Sequence, residues 1–594
     1  MTSKHLFILI ASTLFWLNSY SQAPNLTPYE LSGCKVTPRY AQTMEYCQKL
    51  KAVTPFLKIE SLGKSPQGRD IPLLIVDRNR NFTPESVRKS GNVVLLVQAC
   101  IHAGEPDGKD AGLMLIRDML LKSTNKELLD HVTLLFIPIF NVDGHERFGP
   151  YNRINQNGPE EMGWRTSAQN LNLNRDYLKA DAPEMQALIK SVANWNPDFF
   201  IDCHVTDGAD YQYKLTYSLE LGGNMEAGLT NWTRDYYETN LLKLLDADNT
   251  PAFPYVEFRN WHDPRSGLFL SPAPPMLSQG YFAVRNRPGL LIETHMLKDY
   301  KTRVEATYKT LKHTMELLNR DHTNLLKTIH DADMYTASND FRKKDFPVKF
   351  KTSYKDSTIV NFKGFEYEAV KSDLTGGEWF VYHPDKPTIF RIPFFTKAET
   401  VVNVRLPEAY IIPVEWTSVI KLIQLHGIKN YTINKPTVFT AQSYRFSNTR
   451  FNRTSFEGRV QVSFNLDTIT TKHEYLPGSV VVPMNQPLAR VAAYLLEPLA
   501  DGSLASWGFF NAVMEQKEYT ESYVMERVAR EMLTKNPELK KEFENKKATE
   551  PAFKSSPDAI INWFYSKSPW WDKQLNLYPI GRLLKFDLNY NNSI

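Results

Sequence analysis

The feature that most constrains the fold is an alternation, between about residues 60 and 325, of short apolar runs with segments of helical periodicity. The apolar runs are nearly continuous, as in strands that are covered on both faces. They lie at 71–76, 93–101, 132–140, 197–203 and 289–293, and the helical patterns lie at 109–121 and 182–195. Strands that alternate with helices predict an α/β structure, with a mixed, largely parallel sheet flanked by helices. In such sheets, functional sites gather at the carboxyl ends of the strands.

The pattern changes after about residue 330. From 346 to 482, apolar and polar residues alternate in short runs separated by Pro, Gly and Asn, which predicts a mainly antiparallel β region with one helix at 416–426. From about residue 506 the chain is helical again, with a periodic segment at 524–534 and a break at Pro537. The sequence shows no flexible linker before this second half, so we expect it to pack on the first.

The N-terminus has the order of features found in secretory signals. Lys4 and His5 precede an apolar run at 6–17, which is followed by the small residues Ser19 and Ser21. The run of about twelve residues is shorter than the roughly twenty that span a bilayer. We therefore expect cleavage after Ser21 and a secreted or periplasmic protein with no integral membrane span after cleavage; the alternative is an uncleaved anchor. The predicted organisation is a signal peptide at 1–21, a catalytic α/β domain at 22–330 and a β-rich accessory region with a helical tail at 331–594.

The charge and the cysteine content argue against two other classes of protein. The 594 residues include 70 basic and 66 acidic side chains, a formal charge of +4, which is too small and too dispersed for a nucleic-acid surface. Four cysteines in so long a chain do not make a disulfide scaffold. Cys34 and Cys47 are close enough in sequence to pair in an oxidising compartment or to stay free. Cys100 and Cys203 end apolar runs and are expected to be buried.

Residues that can bind a metal follow three of the predicted strands. His102 and Glu105 are three residues apart after one strand, with Gly104 between them to permit a tight turn. His204 and Glu293 end two further apolar runs, where an unpaired charge is costly to bury. A catalytic zinc site needs three nitrogen or oxygen ligands and a fourth position for water. Each residue alone suits an ordinary strand end, but three such ends on one edge of the sheet favour a common pocket.

The order of these residues resembles that of zinc carboxypeptidases of the pancreatic type. The similar motifs are, in chain order, His102-x-x-Glu105, the run Asn-Leu-Asn-Arg-Asp-Tyr at 172–177, His204, and Glu293 within Leu-Ile-Glu-Thr. The resemblance covers about half of the chain, and the second half looks like the extension of longer bacterial relatives. It implies that His102, Glu105 and His204 bind one Zn²⁺ ion, the ligand set of carboxypeptidase A.

The same resemblance implies roles for three more residues. Glu293 would be the general base that takes a proton from water and passes it to the leaving amine. Asn174 and Arg175 would bind the terminal carboxylate of a peptide, to which a guanidinium can form two parallel bonds. The structural alternative for Arg175 is an ion pair with Asp176 or another acid.

The arginine that stabilises the oxyanion in this family is expected at Arg165, nine residues before Asn174, with Arg153 as the second candidate. The sequence departs from the pattern of the family at the position two residues before Asn174. The residue there is commonly an aspartate that hydrogen-bonds a zinc-binding histidine, but here it is Asn172, so zinc affinity is expected to differ from the family norm.

The mobile tyrosine of the family has no match by spacing. Tyr281 lies twelve residues before Glu293, which is too close, and the segment 271–275 contains no tyrosine. Tyr255 and Tyr217 are not distinguished by the sequence, and the role stays open.

These features predict a secreted zinc metallocarboxypeptidase, which acts on peptides with a free C-terminus and has no nucleic-acid partner. Two alternatives remain at this point. One is a zinc-dependent amidase, deacylase or cell-wall peptide hydrolase of the same fold. The other is a non-catalytic exported binding protein, against which the intact His102, Glu105, His204 and Glu293 argue.

Overall fold

The computed structural model describes residues 25–122 and 124–587. The predicted signal peptide, residues 1–21, lies outside these residues. In the described part of the first half, the strands are β1 (Leu57–Lys64), β2 (Asp70–Val76), β3 (Val93–Ala99), β4 (Val132–Ile137), β5 (Phe199–Thr206), β6 (Leu215–Leu219), β7 (Ala252–Pro254), β8 (Glu257–Phe258), β9 (Leu268–Phe269) and β10 (Gly289–His295).

Eight of these strands form one mixed sheet in the order β1-β2-β4-β3-β5-β10-β6-β7. The four central strands, β4, β3, β5 and β10, run parallel to one another. Strands β1 and β2 are antiparallel additions on one side, and β6 pairs antiparallel with β10 on the other. The predicted mixed, largely parallel sheet is confirmed, and its central strands come from the continuous apolar runs because both of their faces are covered.

Helices flank this sheet. In chain order they are α1 (Pro28–Leu31), α2 (Tyr40–Val53), α3 (Pro84–Ser90), α4 (Asp107–Leu121), α5 (Val142–Glu146), α6 (Pro183–Trp195), α7 (Ala227–Asn231), α8 (Thr239–Ala247), α9 (Ser278–Val284), α10 (Tyr300–Arg320), α11 (His322–Ala337) and α12 (Asn339–Arg342). Helix α4 packs on β3, β5 and α10, whereas α9 contacts β5 and β10. The helices predicted at 109–121 and 182–195 correspond to α4 and α6.

The second half is built mainly from antiparallel strands, as predicted. They are β11 (Asp345–Thr352), β12 (Thr358–Lys371), β13 (Glu378–Phe395), β14 (Ala398–Arg405), β15 (Ala409–Ile412), β16 (Tyr431–Thr432), β17 (Thr437–Phe451), β18 (Val462–Tyr475), β19 (Val480–Pro483) and β20 (Gly581–Leu583). Strands β12 and β13 form a long hairpin, and so do β17 and β18. The β17–β18 hairpin belongs to a six-stranded sheet in the order β16-β19-β15-β20-β17-β18.

The helices of the second half are α13 (Thr417–Leu425), α14 (Ala489–Leu496), α15 (Ser522–Lys535), α16 (Pro537–Thr549), α17 (Pro551–Lys554) and α18 (Pro557–Lys567). Pro537 begins α16, where a missing N–H costs nothing. Helices α15 and α18 enclose a small apolar cluster of their own, formed by Met525, Ala529, Phe564 and Tyr565.

One large core joins the two halves of the chain, with buried residues of both in a single cluster. His426 illustrates the contact: its Nδ1 lies 2.8 Å from the hydroxyl of Tyr281 and its Nε2 lies 3.0 Å from the carbonyl oxygen of Leu178. The second half therefore packs on the first, and the boundary near residue 330 stays a prediction.

All four cysteines are free thiols, so Cys34 and Cys47 do not pair in this structure, and Cys100 and Cys203 are buried. Among the helices in the described part of the chain, none has the length and apolar character needed to cross a bilayer.

Candidate metal centre and substrate pocket

The first part of the site is a tight turn at the carboxyl end of β3. The strand ends two residues earlier than predicted because Cys100 has φ = 58°, a left-handed conformation that leaves the extended region. The backbone N–H of Glu105 donates to the carbonyl of His102 at 3.0 Å. Gly104 permits the turn, since a Cβ there would lie 2.7 Å from the carbonyl oxygen of Gly163. Both side chains of the pair are turned inward and buried.

The second part comes from two neighbouring parallel strands. His204 on β5 lies directly opposite Glu293 on β10 in the register of the sheet. Directly paired residues present their side chains on the same face of a sheet. Strand β5 lies beside β3, and β10 lies on the other side of β5. The parallel strands β3, β5 and β10 therefore end at the same edge of the sheet, where His204 and Glu293 line one pocket with His102 and Glu105.

Three side-chain atoms converge within this pocket. His102 Nδ1 lies 3.2 Å from Glu105 Oε2, His204 Nδ1 lies 3.0 Å from the same oxygen, and the two Nδ1 atoms are 3.1 Å apart. Tetrahedral zinc with bonds of about 2.0–2.1 Å separates its ligand atoms by about 3.3 Å. The observed triangle therefore needs only slight expansion to hold a zinc ion, and its three residues are buried.

The outer nitrogen of each imidazole faces an oxygen. His102 Nε2 lies 3.0 Å from Oδ1 of Asn172, and His204 Nε2 lies 2.9 Å from Oδ2 of Asp202. The Asn172 oxygen is within hydrogen-bond distance of His102 Nε2, and the negative charge of Asp202 attracts a proton to His204 Nε2. We therefore infer that each ring carries its proton on Nε2 and turns the lone pair of Nδ1 toward the pocket. Two such lone pairs and a carboxylate oxygen repel one another unless a cation lies between them. The donor set therefore fits a divalent metal ion.

Two arginines approach the remaining oxygen of Glu105. The guanidinium of Arg153 lies 2.8 Å from Oε1, and that of Arg165 lies 3.4 Å from it. The neighbouring His102 and Arg153 hold the pKa of Glu105 well below its usual value, against the opposing effect of burial. Arg165 has 42% of its side chain exposed and Arg153 only 11%. Arg165 thus reaches the pocket from its rim, whereas Arg153 is packed against the ligand.

Glu293 lies beside the ligand triangle. Burial raises the pKa of Glu293 to about 8, the neighbouring His204 opposes this shift, and the negative charge of Glu105 adds to it. Its carboxylate contributes to the wall of the same cavity as the three ligands.

Asn174 and Arg175 lie in a short 3₁₀ turn, Leu173–Arg175, which is capped by Asn172. The oxygen of the Asn174 amide accepts the backbone N–H of Ser278 at 3.2 Å. Arg175 donates to the carbonyl of Asn174 at 2.6 Å and lines the pocket. Asp176 instead bonds Lys179 at 2.5 Å, so the alternative of an ion pair between Arg175 and Asp176 is not observed among the described residues.

The pocket has a volume of about 560 Å³ and contains every predicted site residue: His102, Glu105, Arg165, Asn174, Arg175, His204 and Glu293. Their roles remain predictions. Of the tyrosines left open, Tyr255 lines the pocket and lies 3.5 Å from Oγ1 of Thr206. Tyr281 and Tyr217 are buried elsewhere, bonded to His426 and to Glu238.

Sequence reasoning missed one residue of the site and undervalued another. Asp202 stands two residues before His204 on β5, and side chains two apart on a strand share a face, so the alternation could have identified it. Arg153 was only the second candidate for the oxyanion arginine. No spacing signal marks its contact with Glu105, because the contact is made by an irregular loop.

Comparisons with known proteins agree with this geometry. Residues 43–252 match the family model for zinc carboxypeptidases. Carboxypeptidase 2 of Trichophyton rubrum is 22% identical over 485 residues, which covers 79% of this chain and 84% of the relative. Carboxypeptidase 2 of Trichophyton equinum is 21% identical over 514 residues, 82% of this chain and 87% of the relative. Both similarities therefore extend past residue 330 into the second half.

Among solved structures, carboxypeptidase A from Helicoverpa armigera is 15% identical with a TM-score of 0.37, over 55% of this chain and 82% of that one. A metallo-carboxypeptidase from Burkholderia cenocepacia is 16% identical with a TM-score of 0.35, over 48% of this chain and 69% of that one.

Proposed function

The chain belongs to the zinc carboxypeptidase family, and from this premise we propose that it is a secreted metallocarboxypeptidase that hydrolyses the last peptide bond of peptides with a free C-terminus. The observation that carries the proposal is that one cavity contains both the triangle of His102, Glu105 and His204 and the guanidinium of Arg175. A metal site beside a group that recognises carboxylates suits cleavage next to a terminal carboxylate.

The three proposed ligands and their hydrogen-bond partners suit a metal ion that keeps a fourth coordination position for water. A zinc ion bound by His102, Glu105 and His204 would supply a Lewis acid and would make a bound water acidic near neutral pH. Asp202 and Asn172 keep the imidazoles in the tautomer that such binding requires.

The other residues act on the proton and on the charges of the substrate. Glu293 accepts the proton of the attacking water and later delivers it to the leaving amine. Arg165, at the rim, donates to the oxyanion that develops on the scissile carbonyl. Asn174 and Arg175 bind the terminal carboxylate, so the bond that is cut is the last one of the chain.

Export is part of the proposal and is supported by the sequence of residues 1–21, with its basic start, apolar run and small residues.

The test is a pair of measurements on the full-length protein. Glu293→Gln keeps the size of the side chain but cannot accept the proton, so hydrolysis of a free-carboxyl peptide should fall by at least about a hundredfold with zinc content unchanged. An undiminished rate would remove Glu293 from its role. The metal content of the wild-type protein tests the remaining alternative, because purified protein that takes up no zinc would favour a binding protein.

The substrate class is tested with two peptides that differ only at the end. The wild-type protein should cleave a peptide with a free carboxylate and leave its C-terminally amidated form uncut, because the amide cannot form the charged bonds with Arg175. Equal cleavage of both would contradict a role of Asn174 and Arg175 in binding the terminus and would favour a related amidase.

A further inference from the structure

We propose that the loop at 452–461, which joins β17 and β18 of the second half, supports the substrate site from behind, and that Glu457 at its tip is a positioning residue for the Asn174–Arg175 turn. This inference rests on the proposed function, since it concerns the residues that are to bind the terminal carboxylate. It gives the accessory half of the chain a role in catalysis that the catalytic motifs do not reveal.

The direct contact is a hydrogen bond between the two halves. Glu457 Oε2 accepts the backbone N–H of Asn172 at 2.8 Å. The side-chain oxygen of Asn172 in turn accepts the backbone N–H of Asn174 at 3.1 Å and lies 3.0 Å from His102 Nε2. One carboxylate of the accessory half thus holds the residue that orients both the carboxylate-binding turn and a metal-binding imidazole.

The loop is fixed on both sides of Glu457. Arg459 forms two hydrogen bonds with the carboxylate of Asp181, both of 2.6 Å. The ring of Phe456 stacks on that of Trp507, with centroids 5.8 Å apart and planes within 7°. Paired Arg–carboxylate contacts of this kind are geometrically specific, so the loop has a defined position against the segment that begins at Asn172.

The backbone at the tip points to a functional reason for the glutamate. Phe456 and Arg459 pair across the tip, and the two residues between them have positive φ, 49° at Glu457 and 76° at Gly458. Such two-residue turns prefer Asn, Asp or Gly at both central positions. A glutamate at the first position carries a local conformational cost, and the contact with Asn172 offsets it.

The charge of Glu457 also reaches the proposed substrate-binding arginine. Burial and the neighbouring Arg165 lower the pKa of Arg175, and the carboxylate of Glu457 acts in the opposite direction. Among the described residues, Arg175 nevertheless forms no ion pair and bonds the carbonyl of Asn174. Its guanidinium remains available for a substrate carboxylate.

The decisive variants distinguish the effect of residue 457 on the conformation of the turn from the effect of its hydrogen bond to Asn172. In Glu457→Asn the new side chain suits the left-handed backbone better but is too short to reach Asn172. The melting temperature should therefore be retained or raised. KM for a free-carboxyl peptide should rise about tenfold, because one hydrogen bond to a charged acceptor is lost. Glu457→Gln keeps the length of the side chain and an oxygen that can accept the hydrogen bond, so its KM should lie within about twofold of the wild-type value. Glu474→Asn, at an exposed glutamate near the far end of β18, is the matched control and should behave as wild type.

A second readout needs no peptidase activity. Zinc release to a chelator should be severalfold faster in Glu457→Asn than in wild type or Glu457→Gln, because Asn172 orients His102. A wild-type protein that binds zinc but cuts no free-carboxyl peptide contradicts the proposed function, and the release rates then test the loop alone. An unchanged KM and release rate in Glu457→Asn, or equal damage in Glu457→Gln, would overturn the role of Glu457.

Discussion

Asp202 and His204, two residues apart on β5, bring a carboxylate oxygen to 2.9 Å from the outer nitrogen of an imidazole. Asp202 is fully buried, and its second oxygen accepts from Nε2 of Gln98 at 3.2 Å. The carboxylate therefore has a fixed direction. Since a carboxylate carries a negative charge and no proton to donate, it favours the proton of His204 on Nε2 and leaves the lone pair of Nδ1 available for the proposed metal ion.

Replacement of this carboxylate by an amide should weaken metal binding. In Asp202→Asn an N–H of the amide can face Nε2, which favours the tautomer with the proton on the metal-binding Nδ1. We expect zinc affinity to fall about ten- to a hundredfold, measured by competition with a chelator of known affinity. The converse change, Asn172→Asp, places a charge against His102 and should tighten binding; equal affinities in all three proteins would contradict the assignment of these partners.

The two arginines near Glu105 should have separable effects. Arg153→Met removes the closer guanidinium, 2.8 Å from the ligand oxygen, and should lower zinc affinity. Arg165→Met removes the more exposed one and should leave zinc in place while lowering kcat by about a hundredfold or more, as removal of an oxyanion donor does. Zinc titration and steady-state kinetics on both variants check this. A loss of kcat with normal zinc affinity in Arg153→Met would exchange the two roles.

How far the sequence predicts this site depends on where each residue lies. His204 and Glu293 end long apolar runs, so their meeting follows from the order of parallel strands, and His102 and Glu105 share one turn. The contacts of Arg153 and Glu457 come from irregular loops far away in the chain. Hydrophobic periodicity carries no information about such contacts, because it reports which face of a strand or helix is buried.

The same limit applies to the fold. The central strands were found from their continuous apolar runs, whereas β1 at the sheet edge was not predicted, because its residues are only partly buried. The strand predicted at 93–101 ends at Ala99 since the left-handed backbone of Cys100 follows, and a buried cysteine in an apolar run gives no sign of that conformation.

Glu184 should make the stability of the protein depend on pH. It lies in the first turn of α6 with no exposed surface, and neither of its carboxylate oxygens has a hydrogen-bond partner among the described residues. Burial raises its pKa from 4.5 to about 7, and the nearby Asp143 and Asp176 add to the shift. Because the folded state favours the protonated form, the stabilising contribution is complete below the unfolded pKa of 4.5 and is lost as pH rises through about 7.

The measurement compares urea unfolding of the wild-type protein and Glu184→Gln at pH 5 and pH 8. The unfolding free energy of wild type should fall by about 3 kcal/mol more than that of the variant over this range. Glu474→Gln, at an exposed position, serves as the control and should follow wild type. Parallel pH dependence in all three proteins would mean that Glu184 ionises normally in the folded state.

The two halves should not fold separately. A chain that ends at residue 330 loses His426, whose ring bonds Tyr281 and Leu178, and it loses Tyr494, whose hydroxyl donates to Oδ1 of Asn224 at 2.6 Å. It also exposes the face of the common core that the second half covers. We expect this truncated protein to be insoluble or to unfold without a cooperative transition in circular dichroism.

A matched control removes helices α15 to α18 of the second half and leaves the core that joins the two halves covered. Helices α15 to α18 enclose their own apolar cluster, and the chain enters and leaves them at neighbouring points, since the backbone N–H of Asn576 donates to the carbonyl of Val513 at 2.7 Å. A protein in which a short Gly/Ser linker replaces residues 517–573 should therefore fold cooperatively and keep its zinc affinity. If the chain ending at residue 330 instead unfolds cooperatively and binds zinc as tightly as wild type, the metal centre does not depend on the second half. The contact between Glu457 and Asn172 would then have no part in holding it.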